Sequence, residues 1–145
     1  MVADLVIANT LRIAREDLDG AKALAALGNR NAVYLCEQAA EKVIRAVLTS
    51  EGKHSGVRHQ LDAMVDLVPD ENPLKPALRE IDELAAYATA YRYPTPAGRI
   101  PDAPPGGELA LFIAKVDAVL TDAMSRFSVD LGKKGTPART PKPIR

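Results

Sequence analysis

A cluster of tyrosines beside one arginine is the feature of this sequence with the clearest chemical meaning. Three of the four tyrosines are Tyr87, Tyr91 and Tyr93, and Arg92 and Pro94 complete the cluster. Tyrosine supplies a flat stacking surface with a polar tip, and arginine suits phosphate binding and stacking on bases. The cluster predicts a nucleotide or RNA contact. An equal alternative is that the tyrosines pack in a core while Arg92 caps a helix end.

A second candidate is the polar edge of a helical segment. Spacings of four, three and four place Tyr34, Gln38, Glu41 and Arg45 along one side of that helix, with Lys42 next to them. These side chains could line a binding site. A solvated face would look the same, with Glu41 and Arg45 forming a supporting pair worth about 0.2–0.5 kcal/mol.

The two histidines and the single cysteine offer little further chemistry. His59 is a candidate general acid or base, since imidazole titrates near neutral pH, or a first-turn residue that bonds to nearby backbone. With His54 and Cys36 as the remaining soft ligands, and no CxxC or HExxH motif, we predict no metal site and no cofactor. Cys36 falls in an apolar helical pattern and is expected to be buried.

The elements that would carry these residues are all helical. Apolar spacings of three and four predict five helices, at about 3–27, 32–50, 59–68, 72–91 and 108–127. Gly28 ends the first, Asn72-Pro73 begins the fourth and Pro94 stops it. The last helix should bury Leu111, Phe112 and the apolar residues that follow at helical spacing. The fold class is therefore an all-α, up-and-down bundle of four long helices plus one short helix.

Charge divides the chain into a body and a tail. The formal net charge is zero, but residues 128–145 hold five basic residues against one acidic residue, which leaves residues 1–127 with 14 Lys and Arg against 18 Asp and Glu. We expect residues 1–127 to form one domain and residues 128–145 to form a flexible, disordered basic tail. No apolar stretch reaches membrane-spanning length and no signal peptide is recognisable, so we expect a cytoplasmic protein.

Four segments in order resemble the HEPN family (higher eukaryotes and prokaryotes nucleotide-binding). They are a first-helix stretch at residues 14–22, the stretch A-x-x-x-x-x-Q-A-A-E-K-x-x-R-A-x-L at residues 32–48, His-x-Leu at His59–Leu61, and Arg92-Tyr93-Pro94 as the terminal RYP. The resemblance spans about residues 10–127. It implies a bundle of four to five helices that is usually dimeric and often encoded with a minimal nucleotidyltransferase as a toxin–antitoxin pair.

Many members of that family are metal-independent ribonucleases with an Arg-x(4–6)-His motif. Neither His54 nor His59 follows an arginine at that spacing, and no histidine follows Arg92. The leading hypothesis is therefore a non-enzymatic or weakly enzymatic homodimeric module that binds nucleotide, RNA or a nucleotidyltransferase partner, with no residue assigned as catalytic. Its expected ligand-binding residues are Arg92, Tyr93, Tyr91, Gln38, Glu41, Lys42, Arg45 and His59.

Two alternatives remain open from the sequence. One is a metal-independent ribonuclease with a non-standard site, in which Arg92 and His59 would be catalytic. The other is a purely structural bundle that binds only other proteins.

Overall fold

A computed structural model of the chain describes residues 2–54, 56, 60–88, 93–101 and 107–141. Within these ranges lie five helices, α1 (Val2–Ala26), α2 (Asn31–Ser50), α3 (Leu61–Asp66), α4 (Lys75–Ala88) and α5 (Glu108–Arg126). The same ranges contain no β-strand. The prediction of an all-α bundle with four long helices and one short helix is confirmed.

Gly28 ends α1 as the sequence predicts, whereas α4 begins two residues after the predicted first helical position, Pro73. Gly28 has a left-handed backbone with φ of 70°, and the N–H of Asn29 returns to the carbonyl of Leu24 at 2.9 Å, which closes the end of α1. At the start of α4, the side-chain oxygen of Asn72 accepts the N–H of Leu74 at 2.9 Å. This Asx cap orders the turn from which α4 begins at Lys75.

The short helix differs from its predicted bounds. The spacing predicted a start near His59, whereas α3 begins at Leu61 because Gln60 has an extended backbone with φ of −79° and ψ of 117°. His59 lies outside the described residues. The predicted end of α4 near Tyr91 also lies outside them, since the described part of this helix stops at Ala88.

Helices α1 and α2 form the most extensive packed pair, and α5 lies against α1, α2 and α4. A Cβ atom on Gly20 would come within 3.0 Å of Leu35, so glycine allows α1 to lie close to α2 at this point. The largest fully buried side chains include Leu11, Leu18, Ile44, Phe112 and Phe127. Each contributes about 1.5–3 kcal/mol of apolar transfer free energy.

One predicted core position is wrong. Leu111 was expected to face inward, but 47% of it is exposed. The buried stripe of α5 runs instead through Phe112, Val116, Leu120 and Ala123, and Leu111 precedes that stripe by about 100° of helix rotation.

The described residues beyond α5 lie against α1. We call residues 128–141 the C-terminal strap. The buried Arg12 of α1 donates to the carbonyl of Asp130 from Nε at 2.9 Å and from Nη2 at 2.7 Å, and to the carbonyl of Lys134 from Nη1 at 3.2 Å. Farther along, the N–H of Ala138 donates to the carbonyl of Asp4 at 2.9 Å. The division of the chain at residue 127 stays a prediction.

None of the helices in the described ranges combines the length and apolar character needed to cross a membrane.

Candidate functional site

The predicted site residues fall into two groups. Tyr91, Arg92 and His59 lie outside the described residues, as does the side chain of Tyr87. The structure describes the other predicted ligand residues, which are Tyr93, Gln38, Glu41, Lys42 and Arg45.

A cleft of about 730 Å³ lies between α2, α3 and α4. Gln38 and Glu41 line it, which places part of the predicted polar edge at one site. The remaining lining residues come from α2, from the start of α3 and from α4: Tyr34, Glu37, Gln60, Leu61, Asp62, Asp82, Glu83, Ala85 and Ala86. A cleft of this volume falls in the range that holds drug-sized ligands and cofactors.

The walls of the cleft follow from helix geometry. Residues three and four apart share a helix face, so Tyr34, Gln38 and Glu41 project from α2 in one direction. Asp82 and Ala86 meet them from α4 for the same reason. Gln60, Leu61 and Asp62 form the third wall. Gln60, which follows His59 in the sequence, has an extended backbone that leads the chain into α3.

A smaller hollow of about 200 Å³ adjoins the start of α2. Arg30, Asn31, Tyr34 and Tyr93 line this hollow, so Tyr34 is shared between it and the cleft. Tyr34 and Tyr93 are 43% and 60% exposed. Two tyrosines from segments nearly sixty residues apart therefore border one accessible space, as a stacking site for a flat ligand requires.

The segment that carries Tyr93 is held to α2 through Arg30. Its Nη2 atom donates to the carbonyl of Pro101 at 2.9 Å. Between Tyr93 and Pro101 the chain makes a tight turn, in which the N–H of Thr95 donates to the carbonyl of Arg99 at 2.7 Å. The proline-rich connection thus has a defined place beside the hollow in its described part, residues 93–101.

The cleft is strongly acidic. Five carboxylates line it: Glu37, Glu41, Asp62, Asp82 and Glu83. Arg45 binds Glu41 at 2.9 Å along the helix, and Arg79 binds Asp82 at 2.8 Å. The predicted Glu41–Arg45 pair is therefore formed, and its negative member faces the cleft.

Asp82 shows the effect of this environment on a carboxyl group. Its side chain is only 6% exposed. Burial raises the pKa of Asp82 above its ordinary value, the bond from Arg79 opposes that rise, and the neighbouring charges of Asp62 and Glu83 add to it. The cleft therefore disfavours further negative charge.

Lys42 is directed elsewhere. Its ammonium binds Asp17 of α1 at 2.5 Å, and it is not among the cleft-lining residues. Lys42 thus ties α1 to α2 in this structure, although its spacing from Gln38 had suggested a place at the site.

Sequence reasoning missed several residues of the cleft. Asp82 could have been found, because it interrupts the apolar stripe of α4 at the position between Leu78 and Ala85 that a core residue would occupy. Asp62 and Glu83 gave no such signal, since carboxylates on exposed faces are common. Arg30 could not have been found, because its partner is the backbone carbonyl of Pro101.

The described residues contain no group of three or more His, Cys, Asp or Glu side chains arranged to hold a metal ion. Cys36 is buried, and burial, with a smaller contribution from Glu37, raises the pKa of its thiol far above the ordinary range. The thiol is therefore not a nucleophile in this fold.

Comparison with known proteins gives one match. The family model of the HEPN domain matches residues 7–106, which begin within α1, include α2 to α4 and end before α5. Searches of curated proteins and of solved structures each gave no match. Membership of this family supports a nucleotide-binding, RNA-binding or ribonuclease-type module. With more than half of its length matched, the chain belongs to the HEPN family.

Proposed function

We propose that this protein binds a nucleotide, or a single unstacked base of an RNA, at the cleft and the adjoining hollow, without cleaving it. The observation that carries the proposal is the position of Tyr34, which borders both the acidic cleft and the hollow lined by Tyr93. A base stacked on these tyrosines would have its edge toward α2 and its sugar within reach of the cleft.

The charges of the cleft favour one orientation of such a ligand. Carboxylates accept hydrogen bonds and repel phosphates, so Glu41 and Glu37 suit the amino groups of a base or the hydroxyls of a ribose. Gln38 can both donate and accept there. The phosphate then belongs outside the cleft, and we assign it to Arg92, which directly precedes Tyr93 in the sequence. Tyr91 and Arg45 complete the proposed contacts, with His59 nearby.

The same proposal extends to partners. Family resemblance supports a homodimer and a minimal nucleotidyltransferase partner in a system of toxin–antitoxin type. The missing Arg-x(4–6)-His motif supports binding over cleavage, because neither histidine has the arginine that the ribonuclease motif requires.

Titration calorimetry with AMP, GMP and the corresponding nucleosides tests the site. Arg92→Ala should weaken nucleotide binding about tenfold or more, the size of one lost charge-assisted bond, and leave nucleoside binding unchanged. Arg15→Ala is the matched control, since it removes an arginine that pairs with Asp117 and lines neither the cleft nor the hollow. Early melting of Arg92→Ala with unchanged affinity would show that Arg92 is structural.

A second assay separates binding from cleavage. Purified protein incubated with RNA in EDTA should leave the RNA intact. Cleavage that disappears in His59→Ala would overturn the proposal in favour of the ribonuclease alternative.

A further inference from the structure

The C-terminal strap carries cations in a fixed position. Lys133, Lys134 and Arg139 are all exposed. Within the described ranges, none of them forms an ion pair. Two lysines on α1 and α5 are paired by contrast: Lys22 binds Asp117 at 2.6 Å and Lys115 binds Glu80 at 3.0 Å.

The backbone that carries these cations is anchored on both sides. The guanidinium of Arg12 binds the carbonyl of Asp130, three residues before Lys133, and the carbonyl of Lys134 itself. The N–H of Arg139 donates to the carbonyl of Phe127 at 2.7 Å, and Ala138 before it is only 3% exposed. The cations therefore project from an ordered segment, so little conformational entropy is lost when they bind a ligand.

The acidic groups beside the strap are already engaged by it. Asp130 accepts the N–H of Gly132 at 2.8 Å, and Asp4 accepts the hydroxyl of Thr140 at 2.9 Å. These two carboxylates reduce the local positive charge. Arg12 adds a buried positive charge whose hydrogen bonds go to carbonyl and amide oxygens, so the strap and its anchor remain net basic.

The strap and the cleft occupy different parts of the bundle. Asp17 pairs with Lys42 and Gly20 lies against Leu35, so α1 and α2 run antiparallel and Arg12 is level with the later half of α2. The cleft adjoins the earlier half, around Tyr34 to Glu41. The strap also lies outside residues 7–106, so it is not part of what matches the family.

We infer that the C-terminal strap is a second binding surface, one that takes the phosphodiester backbone of single-stranded RNA through Lys133, Lys134 and Arg139. This inference rests on the proposed function, because a base bound beside the acidic cleft belongs to a chain with further phosphates, beyond the one assigned to Arg92, that need cations of their own. Contacts of this kind position a strand without reading its sequence.

Fluorescence anisotropy with a labelled single-stranded RNA of about 20 nucleotides, measured between about 50 and 200 mM salt, tests the inference. The double variant Lys133→Gln/Lys134→Gln should weaken binding roughly fivefold or more at the lower salt concentration. The slope of log affinity against log salt should fall by about 1.4, because each lost phosphate contact on a single strand removes about 0.7.

The matched control is Lys22→Gln/Lys115→Gln, which changes the net charge equally but removes lysines that are already paired. It should change RNA affinity less than about twofold, as expected for a small change in overall charge. Equal weakening by both double variants would overturn the inference, because net charge alone would then explain the binding. Absence of RNA binding by the unmodified protein, or unchanged binding by the strap variant, would overturn it as well.

A mononucleotide titration distinguishes failure of this inference from failure of the proposed function. The strap variant should bind AMP or GMP as the unmodified protein does, since Lys133 and Lys134 do not line the cleft or the hollow. If mononucleotide binding is lost together with RNA binding, the strap acts on the cleft and is not a separate surface.

Discussion

Two faces of this bundle carry opposite charges and suit different chemical groups. On the face formed by α2, α3 and α4, five carboxylates surround a cleft, and Arg45 and Arg79 hold two of them at its rim. On the strap, which together with the adjoining parts of α1 and α5 we call the basic face, three exposed cations stand against the single carboxylate of Asp130. On the two helices beside it, Arg15 and Lys22 share the carboxylate of Asp117.

This difference shows why the net charge of zero is a poor guide to the surface. The two signs cancel in the total, but carboxylates cluster at the cleft and cations on the strap, so each cluster can attract its own class of group. The acidic face suits the hydrogen-bond donors of a base or a sugar, and the basic face suits phosphate. One extended ligand could satisfy both.

The largest expected effect comes from removing the anchor of the basic face. Arg12→Ala should lower the free energy of unfolding by about 3 kcal/mol, because it leaves two partly buried carbonyls without their charged donor. Chemical denaturation measures this loss. Arg15→Ala is the matched control on the same helix, and it should cost about 0.5–1 kcal/mol, since Arg15 binds Asp117 near the surface.

If the two arginine variants lose the same stability, the strap contributes nothing to folding. The basic face would then supply charge without adding to the stability of the fold. If only Arg12→Ala is destabilised, the strap is part of the folded unit.

A smaller effect, opposite in sign on the two faces, should appear in the pH dependence of stability. For Asp117, burial raises the pKa, but bonds from Lys22 and Arg15 outweigh it and leave the pKa below the ordinary value. Its contribution is present above the unfolded-state pKa and is lost as the pH falls through the folded-state pKa. Asp82 has a raised pKa, so its folded state holds the proton more tightly and stability falls as the pH rises through that window.

Denaturation of Asp117→Asn and Asp82→Asn across the acidic pH range checks these signs. Asp117→Asn should lose stability at neutral pH relative to the unmodified protein and converge with it in acid. Asp82→Asn should remove a decline in stability that the unmodified protein shows with rising pH. The same sign for both variants would contradict the contrast between the faces.

The smallest effect concerns the boundary between the faces. Lys42→Met should reduce stability by only about 0.5 kcal/mol, because the Lys42–Asp17 pair is partly exposed. Mononucleotide affinity should not change. A large loss of affinity would instead show that Lys42 contacts the ligand, as its spacing on α2 suggested.

How much the sequence could predict depends on the kind of contact. The helices and their ends were predictable, since Gly28 and Asn72 act through their own backbone and side-chain preferences within a few residues. Gln38 and Glu41 were predictable as neighbours for the same local reason. The exposure of Leu111 was not predictable. Whether Leu111 or Phe112 begins the buried stripe of α5 depends on the helices that pack against α5.

The contacts of the strap show the limit of sequence reasoning most clearly. Arg12 binds backbone carbonyls, which every residue possesses. The side chains of residues 128–141 therefore form no pattern from which this contact could be predicted. The acidic cleft is similar, because Asp62 and Asp82 become neighbours only when α3 packs against α4.

The burial of Cys36 has a practical consequence for measuring local opening of the bundle. A thiol enclosed between α2 and its neighbours, with its pKa raised by that enclosure, reacts with an alkylating reagent only when the packing opens. Because Cys36 is the single cysteine of the chain, its alkylation rate reports how often the packing around α2 opens. The protein thus carries its own probe for asking whether a ligand in the cleft slows that opening.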